Sequence, residues 1–253
     1  PRIRKFPISA FSFNRSKKIK KILMIDLKNN KGIIFGATGF VGRQVALEMS
    51  KRKVKLVLHG KTKKKLEELY DEIQNRYNIK QILLPGDFKK KSFFDTLFSL
   101  VSSRFSELDF LMHFAGNFER LSPLTNFSHS EWDAMVEINI NSYWRVLKEL
   151  EPLLKKSRKP KVIFTINENS SNGLPYQNIF SLSSATKKNL GSIFFQENKK
   201  LKIEMIIANI PFLNNGQTSL IKSKKKELRD GIALRIIEKA FKDKKNETAI
   251  INL

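Results

Sequence analysis

The sequence predicts an α/β fold, a doubly wound parallel sheet covered by helices on both faces in three layers. Two observations carry this expectation: short β-branched runs alternate with amphipathic stretches along most of the chain, and a glycine-rich turn directly follows the first run. Strict strand–helix alternation implies right-handed crossovers between parallel strands. A length of 253 residues fits one such domain.

The elements follow in order. Ile33-Ile34-Phe35 is the first strand, and a helix starts at about Gly39. Lys55 to Leu58 is the second strand, followed by a helix through Leu66, Leu69 and Ile73, whose spacing places them on one face. Ile82 to Leu84 precedes a helix near Phe93 to Phe105, and Phe110 to Met112 precedes a helix from about Glu131 to Leu154. Val162 to Ile166 is the fifth strand, Thr186 to Phe195 the next helix, and Ile203 to Ala208 the sixth strand. After Pro211 come the lysine-rich segment Lys222 to Lys226, a helix around Ala233 to Phe241, and a last strand from Ala249 to Asn252. No internal repeat is visible.

Composition narrows the function classes. The chain has no cysteine, which excludes disulfides, thiolate nucleophiles and Cys-ligated zinc, and its three histidines (His59, His113, His129) lack metal-site spacing. No apolar run reaches the ~20 residues that cross a bilayer. The formal charge of +24 favours polyanionic partners such as RNA, although lysines that simply solvate helix faces would produce the same total. Residues 1–30 read as a basic extension, probed by nine cations against Asp26, with Phe6, Phe11 and Phe13 interleaved. Such an end suits an RNA strand or an organellar transit segment. The remaining residues, 31–253, form the single domain. Expected locations are the mitochondrial matrix or a bacterial cytoplasm, with no secretion.

The turn Gly36-Ala37-Thr38-Gly39-Phe40-Val41-Gly42 joins the first strand to the first helix. In that position the glycines let backbone N–H groups and the helix N-terminus approach a pyrophosphate, which predicts dinucleotide binding. The second strand ends in His59-Gly60-Lys61-Thr62, without the acidic residue that meets a ribose 2′-hydroxyl in NAD sites. Lys61, helped by Arg43, suits a 2′-phosphate, so NADP(H) is expected over NAD(H). The alternative is that Lys61 is one more solvated lysine.

With these motifs the chain resembles the short-chain dehydrogenase/reductase family and its Rossmann fold, over Lys31 to about Thr218 and more loosely to Leu253. Gly86-Asp87-Phe88 matches the aspartate that meets the adenine in that family, and His113-Phe114-Ala115-Gly116 matches its Asn-Asn-Ala-Gly turn without either asparagine. The resemblance implies that Asn139 holds a proton-relay water, that Ser170 hydrogen-bonds the substrate oxygen, that Lys187 binds the nicotinamide ribose, and that Thr218 contacts the carboxamide. Asn139 also reads as a core amide satisfied structurally.

The family's Tyr-x-x-x-Lys appears here as Ser183-x-x-x-Lys187. Four-residue spacing puts both side chains on one helix face, where an ammonium lowers a phenol's pKa. A serine hydroxyl is shorter and a far weaker acid. Tyr176, in the loop between Ser170 and Ser183, is an alternative proton donor or a surface residue. The family's Pro-Gly reads Pro211-Phe212. Two functions follow from the resemblance. One is a catalytically impaired, NAD(P)(H)-binding accessory subunit of an RNA-containing or multiprotein complex. The other is an active NADP(H)-dependent carbonyl/alcohol oxidoreductase. The fold also allows a homo-oligomer.

Overall fold

The structure, a computed structural model, describes residues 25–117, 120–167, 173–210, 231–242 and 249–252. Ser170, Thr218, Phe212, the Lys222 to Lys226 run and the basic arm up to Lys21 lie outside the described residues.

The strands are β1 Lys31–Phe35, β2 Lys55–Gly60, β3 Ile82–Pro85, β4 Phe110–His113, β5 Lys161–Ile166, β6 Glu204–Asn209 and β7 Ala249–Asn252. They form one seven-stranded sheet in the order β3-β2-β1-β4-β5-β6-β7, with parallel pairing throughout. The winding direction reverses between β1 and β4. In such sheets the crevice beyond the carboxyl ends of the strands at the reversal is where ligands bind.

The helices are α1 Phe40–Lys51, α2 Lys63–Tyr77, α3 Lys91–Ser102, α4 His129–Val136, α5 Ser142–Leu154, α6 Asn178–Asn198 and α7 Ile232–Phe241. Side-chain alternation along the strands divides the interior in two. Ile33 and Phe35 of β1 face a core with Phe94 and Leu97 of α3, Tyr143 and Leu150 of α5, and Phe194 of α6. Ile34 faces the other core, with Val45 and Met49 of α1, Leu66 and Ile73 of α2, and Ile236 and Ile237 of α7. These buried aliphatic and aromatic side chains stabilise the three-layer stack by roughly 1.5–3 kcal/mol each.

Three boundaries differ from the sequence expectation. Ile25 to Asn30, counted there with the basic extension, already touch the domain. Leu27 is buried in the α1–α7 core, and the Asn29 and Asn30 backbones bond to Lys53 and Lys55. The long helix expected from Glu131 to Leu154 is divided: α4 and α5 flank a wide π-helical turn, Glu137–Asn141. A capping box between Ser128 and Glu131 starts α4. Finally, α6 begins at Asn178 rather than Thr186. Its first two turns carry Ser181, Ser183 and Ser184, all buried, so packing against the sheet overrides the weak helix propensity of serine.

Candidate functional site

The Gly36–Gly42 turn stands at the carboxyl end of β1, on the reversal crevice. Its glycines have different duties. Gly36 has φ +73°, and a Cβ there would lie 2.6 Å from the Ala115 amide nitrogen, so both its conformation and the closeness of the β4 turn require glycine. At Gly42 a Cβ would sit 2.2 Å from the Gly36 carbonyl oxygen, so this glycine lets α1 fold back onto the turn. Gly39 is exposed, has φ −75°, and its Cβ would meet only the Gly36 oxygen at 3.3 Å. The interior constrains position 39 far less than 36 or 42, since only that one oxygen would have to shift.

Gly39 caps α1 without a side-chain acceptor, and no acid occupies the first turn. A helix start leaves its first N–H groups without intrahelical partners and carries partial positive charge, which suits a phosphate. The cradle therefore fits the pyrophosphate of a dinucleotide, with Thr38 and the Phe40, Val41 and Gly42 backbone around it.

His59 braces this cradle. The carbonyl of Gly86 only accepts, so His59 donates from Nε2 (3.1 Å), which leaves Nδ1 to accept from the Gly36 N–H at 3.5 Å. Burial pushes its pKa down to about 3, against the opposing pull of the Gly86 hydrogen bond and the Asp87 charge. The ring is held neutral and stacks on Phe88, with centroids 4.4 Å apart.

Lys61, just past β2, is exposed and its ammonium lies 3.2 Å from the Asp87 carboxylate. Burial raises the Asp87 pKa, but the Lys89 N–H and Lys61 outweigh it and hold the carboxyl below its ordinary value. Arg43, expected to help Lys61, is instead ion-paired with Glu72 of α2. Thr38 adjoins the end of β2, where a Cβ on Gly60 would approach its Cγ2 at 2.9 Å.

The other end of the crevice is built on β4, the π turn and α6. Asn139, buried, accepts from the Asn117 N–H at 2.8 Å and donates to the Asn117 carbonyl at 2.9 Å. Its amide thus pins the turn that holds Ala115 and Gly116, and a Cβ on Gly116 would come 3.2 Å from Asn139 Oδ1. The amide is satisfied by backbone, as the structural alternative for this residue required. Next to it, the Ser142 hydroxyl donates to the Ile138 carbonyl at 2.7 Å and accepts from His113 Nε2 at 3.1 Å. Burial, then the neighbouring Lys187 ammonium, hold His113 far below its ordinary pKa, so it too is neutral.

Ser183 and Lys187 share one face of α6, as their spacing predicts. The Ser183 hydroxyl is fully enclosed and donates to the Phe180 carbonyl one turn back, at 2.9 Å. Lys187 is also buried. Desolvation pushes its pKa down to about 7, and its Nζ stands 4.3 Å from the Tyr143 ring centre. Tyr143 of α5, not singled out in the sequence, is the phenol next to this lysine. It cannot serve as an acid near neutrality: burial raises its pKa far above the ordinary value, and its hydroxyl donates to the Ala115 carbonyl at 2.8 Å. Tyr176 points elsewhere; its side chain is exposed, and its carbonyl is tied to Ser122 and Asn178. The structure thus sets Gly36 against Ala115, Lys61 against Asp87, Asn139 against Gly116 and Asn117, and Lys187 against Tyr143, with Ser183 enclosed one turn before Lys187 on α6.

Comparison with known proteins agrees with this architecture. An uncharacterized oxidoreductase of Staphylococcus epidermidis is 25% identical over 140 residues, 55% of this chain, and the chain spans 59% of that relative's length. A short chain dehydrogenase structure from Salmonella enterica serovar Typhi superposes with a TM-score of 0.83 at 17% identity, covering 90% of this chain and 97% of that one. A short chain dehydrogenase structure from Escherichia coli, complexed with NADPH, gives a TM-score of 0.81 at 17% identity, covering 90% and 98%. The family model described as short chain dehydrogenase matches residues 31–225. With that match over most of its length and a Rossmann-like sheet beneath it, the chain belongs to the short chain dehydrogenase family.

Proposed function

We propose that this short chain dehydrogenase binds NADP(H) along the crevice, is catalytically impaired at proton transfer, and serves as a basic accessory subunit of an RNA-containing complex. The pyrophosphate would rest on the Gly36–Gly42 turn, the adenosine beside Asp87, and the nicotinamide ribose near Lys187, with the 2′-phosphate meeting Lys61 in place of Asp87. When bound, the cofactor supplies the hydride; the chain must orient the partner molecule and handle a proton.

The observation that carries impairment is the Ser183 hydroxyl, enclosed and committed to the Phe180 carbonyl at 2.9 Å. It stands in the tyrosine position of the family motif, and a serine hydroxyl yields no proton near neutrality. The RNA role is supported by the charge of +24.

One observation favours the alternative, an active NADP(H)-dependent carbonyl reductase. Lys187, with its pKa near 7, would exchange a proton at neutral pH without help from a phenol. The deciding experiment is NADPH oxidation across aldehydes and ketones by the wild type and by Ser183→Tyr. Impairment predicts negligible wild-type turnover and recovery in the variant. Wild-type turnover in the usual enzymatic range of ~1–10³ per second would establish the reductase instead.

A further inference from the structure

At the amino ends of the strands, opposite the dinucleotide crevice, two cavities open side by side. One, of about 520 Å³, lies under β2 and β3 and includes Lys28, Lys53, Lys55 and Lys80 in its lining. The other, of about 380 Å³, includes Lys28, Lys51, Arg52 and Lys53. Shared Lys28 and Lys53 make them one trough, whose lining holds six cations against a single acid, Asp26.

Arg52 gives the trough a built centre. Its side chain is only 8% exposed. Nη1 donates to the Glu48 carbonyl and carboxylate, while buried Nε and Nη2 have no partner. An unpaired guanidinium edge below the surface is costly, so Arg52 adds to the trough wall a cation that its ion pair with Glu48 leaves only partly satisfied.

We infer that this trough binds the phosphodiester backbone of a single-stranded RNA. Shape and sequence favour a strand over an anionic membrane. The trough is concave, and none of the large apolar side chains exposed among the described residues lies in it to insert into lipid. Its lining begins at Ile25, four residues after the last lysine of the basic stretch in the sequence. The floor residues Leu56 and Phe105 are too buried to stack on bases, which makes the contact backbone-directed and insensitive to sequence. β2 spans six residues, roughly 20 Å, so RNA and dinucleotide occupy opposite ends of the sheet without competing.

This inference locates on the folded domain the RNA association proposed above, and rests on it. The test is fluorescence anisotropy of a labelled oligouridylate with the 253-residue chain, titrated at about 50 to 200 mM salt. The wild type is compared with a variant carrying Lys28→Gln, Lys55→Gln and Lys80→Gln, all at exposed positions. Losing three phosphate contacts should flatten the log–log salt slope by about 2 and weaken binding roughly tenfold or more at the lower salt, with NADPH affinity and melting temperature unchanged. An unchanged slope in a variant that still binds RNA overturns the trough alone. Absence of wild-type RNA binding overturns both the trough and the RNA association, whether or not the chain binds vesicles of phosphatidylserine and phosphatidylcholine.

Discussion

The Lys187 ammonium nitrogen lies 4.3 Å from the centre of the Tyr143 ring, so a buried cation rests on an aromatic face. Such contacts offset part of the desolvation of an ammonium, but the pKa of Lys187 remains depressed to about 7. A lysine whose pKa is lower in the fold than in the unfolded chain binds fewer protons there between pH ~7 and ~10.5. Stability therefore rises with pH across that window. Replacing Lys187 by Met should raise the melting temperature at pH 6–7 by a few degrees and abolish the rise. Parallel thermal melts of both proteins at several pH values check this; a wild-type melting temperature that is flat through the window contradicts the burial of an unpaired charge.

His59 and His113 extend the same trend to lower pH. Both are buried with depressed pKa values, so below pH ~6.5 the unfolded chain takes up protons that the fold refuses. The histidine contribution is complete above that pH and falls as the solution is acidified, by about 1.4 kcal/mol per pH unit for each histidine, down to about pH 3 for His59. His113→Phe should remove one of these two contributions. Urea denaturation at pH 7, 6 and 5 measures the slope in each protein.

The glycines of the phosphate turn should separate folding from binding. Gly36→Ala and Gly42→Ala each place a methyl group into backbone atoms, at 2.6 and 2.2 Å, and should destabilise the protein by roughly 1–3 kcal/mol or more. Gly39→Val has a permitted backbone angle, and its Cβ would meet only the Gly36 carbonyl oxygen, in a 3.3 Å contact that a shift of a few tenths of an ångström relieves. It should unfold within about 0.5 kcal/mol of wild type and yet bind NADPH at least ~10-fold more weakly. Denaturant unfolding and calorimetry on the same preparations test the pair; unaltered NADPH affinity in Gly39→Val would remove the turn from the binding site.

NADPH should bind more tightly than NADH, and Lys61→Glu should reverse the order by adding a second carboxylate beside Asp87 where a 2′-phosphate would sit. A change of about tenfold in the ratio corresponds to ~1.4 kcal/mol. Equal affinities of the wild type for both cofactors would count Lys61 as a solvated lysine.

The fold was legible because burial on both faces leaves β1, β2, β4 and β5 as nearly unbroken apolar runs, while α2, with Leu66, Leu69 and Ile73, repeats at helical spacing. The start of α6 was hidden, because Asn178 to Ser184 is rich in poor helix formers, among them Ser183, whose hydroxyl bonds back to Phe180. Of the site, the glycine turn, Asn139 and the Ser183–Lys187 spacing could be read from local pattern. The pairing of Lys61 with Asp87, the diversion of Arg43 to Glu72, and the approach of Lys187 to Tyr143 depend on how separate elements cross, and no local pattern records that. The trough was equally hidden, since Lys28, Arg52 and Lys80 meet only after β1, β2 and β3 align.

The π turn at Glu137–Asn141 is a matter of counting. Ser142 N–H donates to the Glu137 carbonyl five residues back, so the segment holds one residue more than an α-helical path would. Each residue advances a helix by about 100°. The wide turn takes up the extra residue so that α4 and α5 keep the faces a continuous helix would give them. Deleting one residue here would let α4 run into α5 as one α-helix with Tyr143 and Leu147 still in the core, but would close the turn and withdraw the Asn139 amide from the Asn117 backbone. The extra residue therefore serves the Ala115–Asn117 turn and not the core.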